Sequence, residues 1–364
     1  MKTYLRVFCL GLALLLALLP LQAAFAQDGE QQIRITQLDA SRFPQVTVYL
    51  SATDASGEPL AVDPENIQIF ENGQLMQPDR ISGSGEIGPL TTLLVMDVSG
   101  SMYDAGKLTA AKAAAQAYVE QMRPSDQAGL LTFNTAVTYL QAITSDHESL
   151  IQAINSLDAR GDTSMFDALD QAAQILQDVP GRKAIIVLTD GLDNSSKRTA
   201  DEVIQAIGAG GLSISTIGLG DPDKLGINSG LDEATLQSLA ERAGGVYGYA
   251  NDPETLRGLY ERYGRALQSE YRITYTSPST LRDGLSRALT VSLGETASTQ
   301  TQYNPGGVLP EVPNSVSWTV FTVLLVGLVV LLFVPGLVSR FQTQKTVRGS
   351  QGTTRKQRSR IKLK

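Results

Sequence analysis

An aspartate followed at its second and fourth positions by serines, Asp97-Val98-Ser99-Gly100-Ser101, closes the apolar run Leu93-Leu94-Val95-Met96. A carboxylate and two hydroxyls on the loop after a strand read as half of a divalent-cation site. Oxygen donors suit a hard ion such as Mg²⁺, which demands near-octahedral geometry and keeps several waters. Two later stretches supply the missing half. Gly161-Asp162-Thr163-Ser164 carries a threonine on a glycine-containing loop, and Ile185-Ile186-Val187-Leu188-Thr189-Asp190-Gly191 ends a second apolar run on an aspartate. The charges of Asp97 and Asp190 together about neutralise a dication, and the other donors are neutral, so the ion keeps an appetite for one more carboxylate. No base or nucleophile accompanies these residues, which points to binding and away from catalysis. The single histidine, His147, lies in Ser145-Asp146-His147-Glu148 and reads as the first turn of a helix capped by Ser145 or Asp146. It has no second His or Cys with which to hold zinc.

These loops need a parallel sheet to bring them together, and residues 88–268 alternate strand and helix patterns as such a sheet requires. Strands are expected at Thr91–Met96, Gly129–Phe133, Val137–Ala142, Ala184–Thr189, Ser213–Gly218 and Gly245–Tyr249. Between and after them, helices are expected at Leu108–Met122, Ser149–Leu157, Phe166–Leu176, Asp201–Ile207, Glu233–Arg242 and Glu254–Gln268. The short connection Asn134-Thr135-Ala136 makes the second and third strands a hairpin, hence an antiparallel edge. The result is an α/β fold with a doubly wound, mostly parallel, Rossmann-like sheet. Gly208-Ala209-Gly210-Gly211 and Gly218-Leu219-Gly220-Asp221 lack the spacing of a nucleotide loop and read as helix ends and turns. Asp193 and Asp221 read as solvated loop residues, and Asn194-Ser195-Ser196 fits a glycosylation acceptor pattern.

The combination of Asp97-x-Ser99-x-Ser101, Thr163 after a glycine-rich loop and Asp190 closing a later strand resembles the metal-ion-dependent adhesion site of von Willebrand factor type A domains. The resemblance covers about half of the chain. It implies that Asp97, Ser99, Ser101, Thr163 and Asp190 surround one Mg²⁺, with Mn²⁺ or Ca²⁺ as alternatives, some of them through water. It also implies a free coordination position for an Asp or Glu of a protein partner, and a final helix that can move when that ligand binds.

Flanking segments differ in kind. Residues 27–87 and 269–296 carry short alternating runs, such as Val46, Val48 and Leu50 or Ala288–Leu293, with a turn pair at Asn72-Gly73. Neither block makes a comfortable sandwich alone, so the two are expected to pair into one β-sandwich interrupted by the central domain. Lys2 and Arg6 ahead of Val7–Leu19, with Ala24-Phe25-Ala26 before Gln27, give residues 1–26 the layout of a signal peptide. Residues 297–315, with Pro305, Gly306-Gly307, Pro310 and Pro313, read as a stalk. Within residues 316–339, Thr319–Val338 supplies the roughly 20 apolar residues of a transmembrane helix, with Trp318 as interfacial anchor.

The net charge of −7 conceals a split: Lys2 and Arg6 give residues 1–26 a charge of +2, nine Lys and Arg give residues 340–364 +9, and residues 27–339 carry −18. A basic tail beside the span is expected in the cytoplasm, with the N-terminal domain outside. An acidic ectodomain excludes nucleic acid as its partner. The only cysteine, Cys9, lies in the signal segment, so no disulfide is expected in the mature chain. The expected protein is a single-pass, non-enzymatic envelope adhesion protein of bacterial type. A structural subunit with a fold-stabilising metal and a metal-dependent hydrolase are the rival readings.

Overall fold

The computed structural model describes residues 31–83, 86–208, 211–220, 231–294, 296–307, 321–323 and 325–328. It divides into two units, Met1–Glu311 and Val312–Lys364.

At the centre of the first unit, six strands lie in the order β11-β10-β9-β6-β7-β8. They are β6 (Leu90–Asp97), β7 (Gln127–Phe133), β8 (Val137–Thr144), β9 (Arg182–Thr189), β10 (Ser213–Leu219) and β11 (Tyr247–Ala250). Every pairing is parallel except β7 with β8, the expected edge hairpin. The middle strands are buried along their whole length because both faces of the sheet are covered. From β6, Leu94 and Met96 enter one apolar cluster while Leu93 and Val95 enter the other. The first cluster is closed by α1 (Lys107–Glu120), α2 (His147–Asn155) and α6 (Pro253–Gln268), the second by α3 (Met165–Gln177), α4 (Ala200–Gly208) and α5 (Glu233–Arg242). Buried Ala110, Ala111, Ala114 and Ala115 give α1 a slim face toward the sheet, and Tyr118 reaches through to bond Thr92 Oγ1 at 2.6 Å.

Three helices carry aspartate caps where the sequence offers them: Asp146, Asp232 and Asp252 each accept from the backbone N–H three residues on. Asp146 starts α2 at His147, two residues before the expected start, and the imidazole Nε2 lies 3.2 Å from the Asp126 carbonyl at the beginning of β7.

The flanking blocks interleave as expected. One sheet has the order β1-β2-β12-β5, from β1 (Gln32–Asp39), β2 (Gln45–Thr53), β5 (Pro78–Ser82) and β12 (Tyr271–Thr276). The other has the order β14-β13-β3-β4, from β3 (Ile67–Glu71), β4 (Gln74–Met76), β13 (Arg287–Leu293) and β14 (Ala297–Tyr303). In each sheet a C-terminal strand lies beside N-terminal ones, and Val46, Val48, Leu50, Ile69, Ile273, Leu289 and Val291 share one core. The start of the expected stalk is corrected here, because residues 297–303 form a strand paired along its whole length with β13. Its inward positions are Ala297, Thr299, Thr301 and Tyr303, so the period of two is present but carried largely by small polar residues.

The sandwich is tied to the central sheet by backbone-scale fits. Gly211, at φ +55°, and Gly244, at φ +70°, approach β1 so closely that an added Cβ would lie 2.0 Å from the Leu38 carbonyl oxygen and 2.3 Å from that of Ile35. Gln37 bonds the Gly181 carbonyl with its amide nitrogen and the Lys183 N–H with its amide oxygen, each at 2.8 Å.

In the second unit, residues 321–323 and 325–328 are helical and solvent-exposed. Among the described residues no helix is long and apolar enough to cross a membrane. The remainder of the expected span, the signal segment, residues 308–315 of the stalk and the basic tail lie outside the described residues.

Candidate metal centre

Chain order scatters the five predicted residues over almost a hundred positions, and the sheet gathers them. β6 and β9 are parallel neighbours, so Asp97 and Asp190 emerge together at their carboxyl ends. The loop of Gly161–Thr163 is drawn against the serine loop by two backbone bonds, Gly100 N–H to the Gly161 carbonyl at 2.9 Å and Arg160 N–H to the Val98 carbonyl at 2.8 Å. Gly161 itself has φ +82°, and a Cβ there would meet Thr135 Oγ1 at 2.6 Å, so glycine is required for this approach.

Three of the five side chains form a continuous hydrogen-bonded row: Ser99 Oγ lies 3.1 Å from Ser101 Oγ, and Ser101 Oγ donates to Asp190 Oδ1 at 2.7 Å. Asp97 stands behind them with no solvent exposure, accepting Ser99 N–H on Oδ1 at 2.8 Å and Thr189 Oγ1–H on Oδ2 at 2.6 Å. Thr163 joins through its backbone, its N–H bonded to Asn194 Oδ1 at 3.0 Å and its carbonyl accepting from Asn194 and Ser195. The loop after Asp190 therefore fixes the threonine loop. Asp193 adds to this by accepting from Phe166 N–H at the start of α3 and from Ser196, which makes it a strut and not the solvated residue expected. Asp221 lies outside the described residues.

Electrostatics separates the two aspartates. Lys107 Nζ, on the first residue of α1, sits 2.5 Å from Asp190 Oδ2 and balances that carboxylate. Asp97 has no Lys or Arg within ion-pairing distance among the described residues, and burial pushes its carboxyl up to about 6, with the Ser99 and Thr189 hydrogen bonds opposing and the charge of Asp190 adding to the rise. A buried carboxylate without a counter-cation, behind two hydroxyls and a second carboxylate, fits a dication. The donor set, two carboxylates and neutral hydroxyls, also fits a hard ion. Among the described residues no three of His, Cys, Asp and Glu converge, so a soft, thiolate- or imidazole-bound metal has no site there. His147 lies near the start of β7, whereas the aspartates lie where their strands end.

Thr189, Lys107 and Asn194 were not among the predicted site residues. Thr189 could have been read as the inward residue before the strand-ending aspartate. Asn194 was legible only as part of a glycosylation triplet. Lys107 carries no spacing signal, since its approach to Asp190 depends on how the turn Gly100–Gly106 folds back. That turn carries buried Met102 and, two residues after Ser101 in the chain, Tyr103, which is 78% exposed.

A family model of the von Willebrand factor type A domain matches residues 92–192, a stretch that runs from within β6 to just past Asp190. This segment is similar to a type A domain. A UPF0353 protein of Mycolicibacterium paratuberculosis is 27% identical over 202 residues, covering 49% of this chain and 60% of its own length. Calcium-activated chloride channel regulator 3A-1 of Mus musculus is 32% identical over 181 residues, covering 47% of this chain and 18% of its own. The chain thus spans less than two thirds of these relatives. Among solved structures, the conserved hypothetical protein BatB from Bacteroides thetaiotaomicron aligns at 22% identity with a TM-score of 0.43, over 50% of this chain and 100% of that one. Type A domains are in general interaction modules.

Proposed function

We propose that this chain is a membrane-anchored binding protein whose type A domain holds a Mg²⁺-type ion and, through it, a carboxylate of a protein partner. The observation that carries the reading is Asp97, buried and without a counter-cation behind the Ser99–Ser101–Asp190 row. Asp97, Ser99, Ser101, Thr163 and Asp190 would hold the ion, some through water. Bound there, the ion supplies a Lewis-acidic position to which an acidic side chain can coordinate.

The protein's own residues do the rest. Asp97 supplies charge from a fixed place, since both its oxygens are oriented by Ser99 and Thr189. Ser99 and Ser101 bring oxygen without charge, which leaves the ion attractive to an outside carboxylate. Exposed Tyr103, on the same turn as Ser101, would offer a partner an aromatic contact, the residue type enriched at interface hot spots. The hydrolase reading has no support from a base, because no histidine or cysteine stands at this end of the sheet among the described residues. Anchoring rests on the apolar segment 319–338 and the basic residues after it, with residues 27–315 outside and the tail cytoplasmic.

Capture of binding partners by the full chain from envelope extracts, with Mg²⁺ and with chelator, tests the reading. Tyr103→Ala is expected to weaken metal-dependent capture at least tenfold, about 1.4 kcal/mol, while leaving Mg²⁺ affinity unchanged. Partner capture that ignores both chelator and Tyr103 would instead favour a structural role for the domain.

A further inference from the structure

The loop from Ser277 to Ser286, between β12 and β13, displays Leu281 at 71% and Leu285 at 60% exposure, among the most exposed large apolar side chains of the first unit. These leucines are not on a slack segment. Arg287, itself buried, spreads its guanidinium beneath the loop, bonding Ser279 Oγ at 3.0 Å, Asp283 Oδ2 at 3.1 Å, and the carbonyls of Leu285 at 3.3 Å and Leu281 at 3.4 Å. Both leucine backbones are thus held from inside while their side chains face solvent. Two apolar side chains held outward on one braced loop are available to an apolar surface.

The same loop is clasped to the segment on which the first unit leaves toward the apolar stretch. Asn304 Nδ2 donates to the Gly284 carbonyl at 2.8 Å, Gly284 N–H to the Gly306 carbonyl at 3.2 Å, and Arg282 Nη1 to the Pro305 carbonyl at 3.1 Å. Asp283 bridges Gly307 in antiparallel fashion. From Gly307 only residues 308–318 separate this loop from the apolar stretch 319–338. Eleven residues reach at most about 40 Å when fully extended, and less in any relaxed state.

We propose that Leu281 and Leu285 dock this loop into the surface of the bilayer that holds residues 319–338. This rests on the anchoring reading given above. Two leucines alone would bind a free protein to lipid weakly, but a short tether makes the contact intramolecular, with an effective concentration on the order of millimolar. A weak apolar contact then suffices to hold the base of the molecule against the membrane.

The test uses the full chain, with Cys9 replaced by serine, reconstituted into phosphatidylcholine vesicles that carry spin-labelled lipids quenching at known depth. Single-cysteine variants Leu281→Cys, Leu285→Cys, Leu140→Cys and Leu328→Cys carry an environment-sensitive fluorophore. Leu140 is the aqueous reference, on the edge strand β8, and Leu328 reports the span. Quenching at 281 and 285 by the shallow lipid label is expected to exceed that at 140 severalfold, with deep quenching at 328. Deep quenching at 328 with 281 and 285 no different from 140 overturns the docking and leaves the anchor intact. No quenching at 328 overturns the anchor and the docking together. Shielding of 281 and 285 from aqueous iodide without quenching by lipid overturns the docking in favour of a protein partner on the loop.

Discussion

Asp97 and Asp190 have the same side chain and stand at the ends of neighbouring strands, but Lys107 pairs with Asp190 alone of the two. Lys107 balances Asp190, whereas burial holds the Asp97 carboxyl up at about 6 against the opposing hydrogen bonds of Ser99 and Thr189. Two predictions follow from that difference. Because its folded pKa exceeds the ordinary value of 3.8, Asp97 contributes stability to the metal-free protein below about pH 4 and loses that contribution as pH rises through about 6. Asp97→Asn removes the charge and keeps the shape. Its metal-free melting temperature should therefore exceed that of the wild type by a margin that grows between pH 4 and pH 7, in paired thermal melts. Mg²⁺ should raise the wild-type melting temperature at pH 7.5 and leave that of the variant unchanged. The second prediction concerns Lys107. Its ammonium competes for the negative charge a dication would use, so Lys107→Met should lower metal-free stability and raise Mn²⁺ affinity about tenfold, or 1.4 kcal/mol, by titration calorimetry. Unchanged or weaker affinity would make Lys107 a fixed support of Asp190 and not a competitor.

Between elements, a buried polar joint ties α6, β9 and the start of β12. Arg182, 2% exposed, bonds Glu270 through Nε at 2.9 Å and Nη2 at 2.6 Å, and also the carbonyls of Leu267 at the end of α6 and Gly88 before β6. A shift of α6 would have to drag or break this joint before it could pull on β12. Arg182→Ala leaves Glu270 buried and uncompensated and should cost about 3–5 kcal/mol in urea unfolding. The element scale also shows what the sequence made legible. The runs ending in Asp97 and Asp190 announced buried parallel strands, and the apolar stripe of Leu256, Leu259, Tyr260, Tyr263 and Leu267 announced α6. β14 was hidden because its half-buried positions are Ala297, Thr299 and Thr301, which carry no apolar signal. The joint at Arg182 was hidden because nothing in the spacing of residues 88, 182, 267 and 270 declares that they meet. Of the candidate site, Asp97 and Asp190 were legible as the ends of apolar strands, Ser99 and Ser101 by their spacing from Asp97 and Thr163 by its glycine-containing loop, while Thr189, Lys107 and Asn194 depend on contacts between distant loops.

At the scale of the whole molecule, residues 27–339 carry −18 and the tail +9. An acidic body agrees with the proposed cation site: a negative field raises the local concentration of dications and would repel acidic partners until an ion is bound. Binding of an acidic ligand should therefore be conditional on metal, and the sandwich base, joined to the domain by Gly211, Gly244, Gln37 and Arg182, carries that domain as one body with it. All of this depends on Asp97 being the charge that holds the ion. Calorimetric titration of the full chain with Mg²⁺ at pH 7.5, beside Asp97→Ala of matched circular dichroism, tests it most directly. The account predicts one ion per wild-type chain and none for the variant; Mg²⁺ binding to Asp97→Ala with wild-type affinity would contradict it.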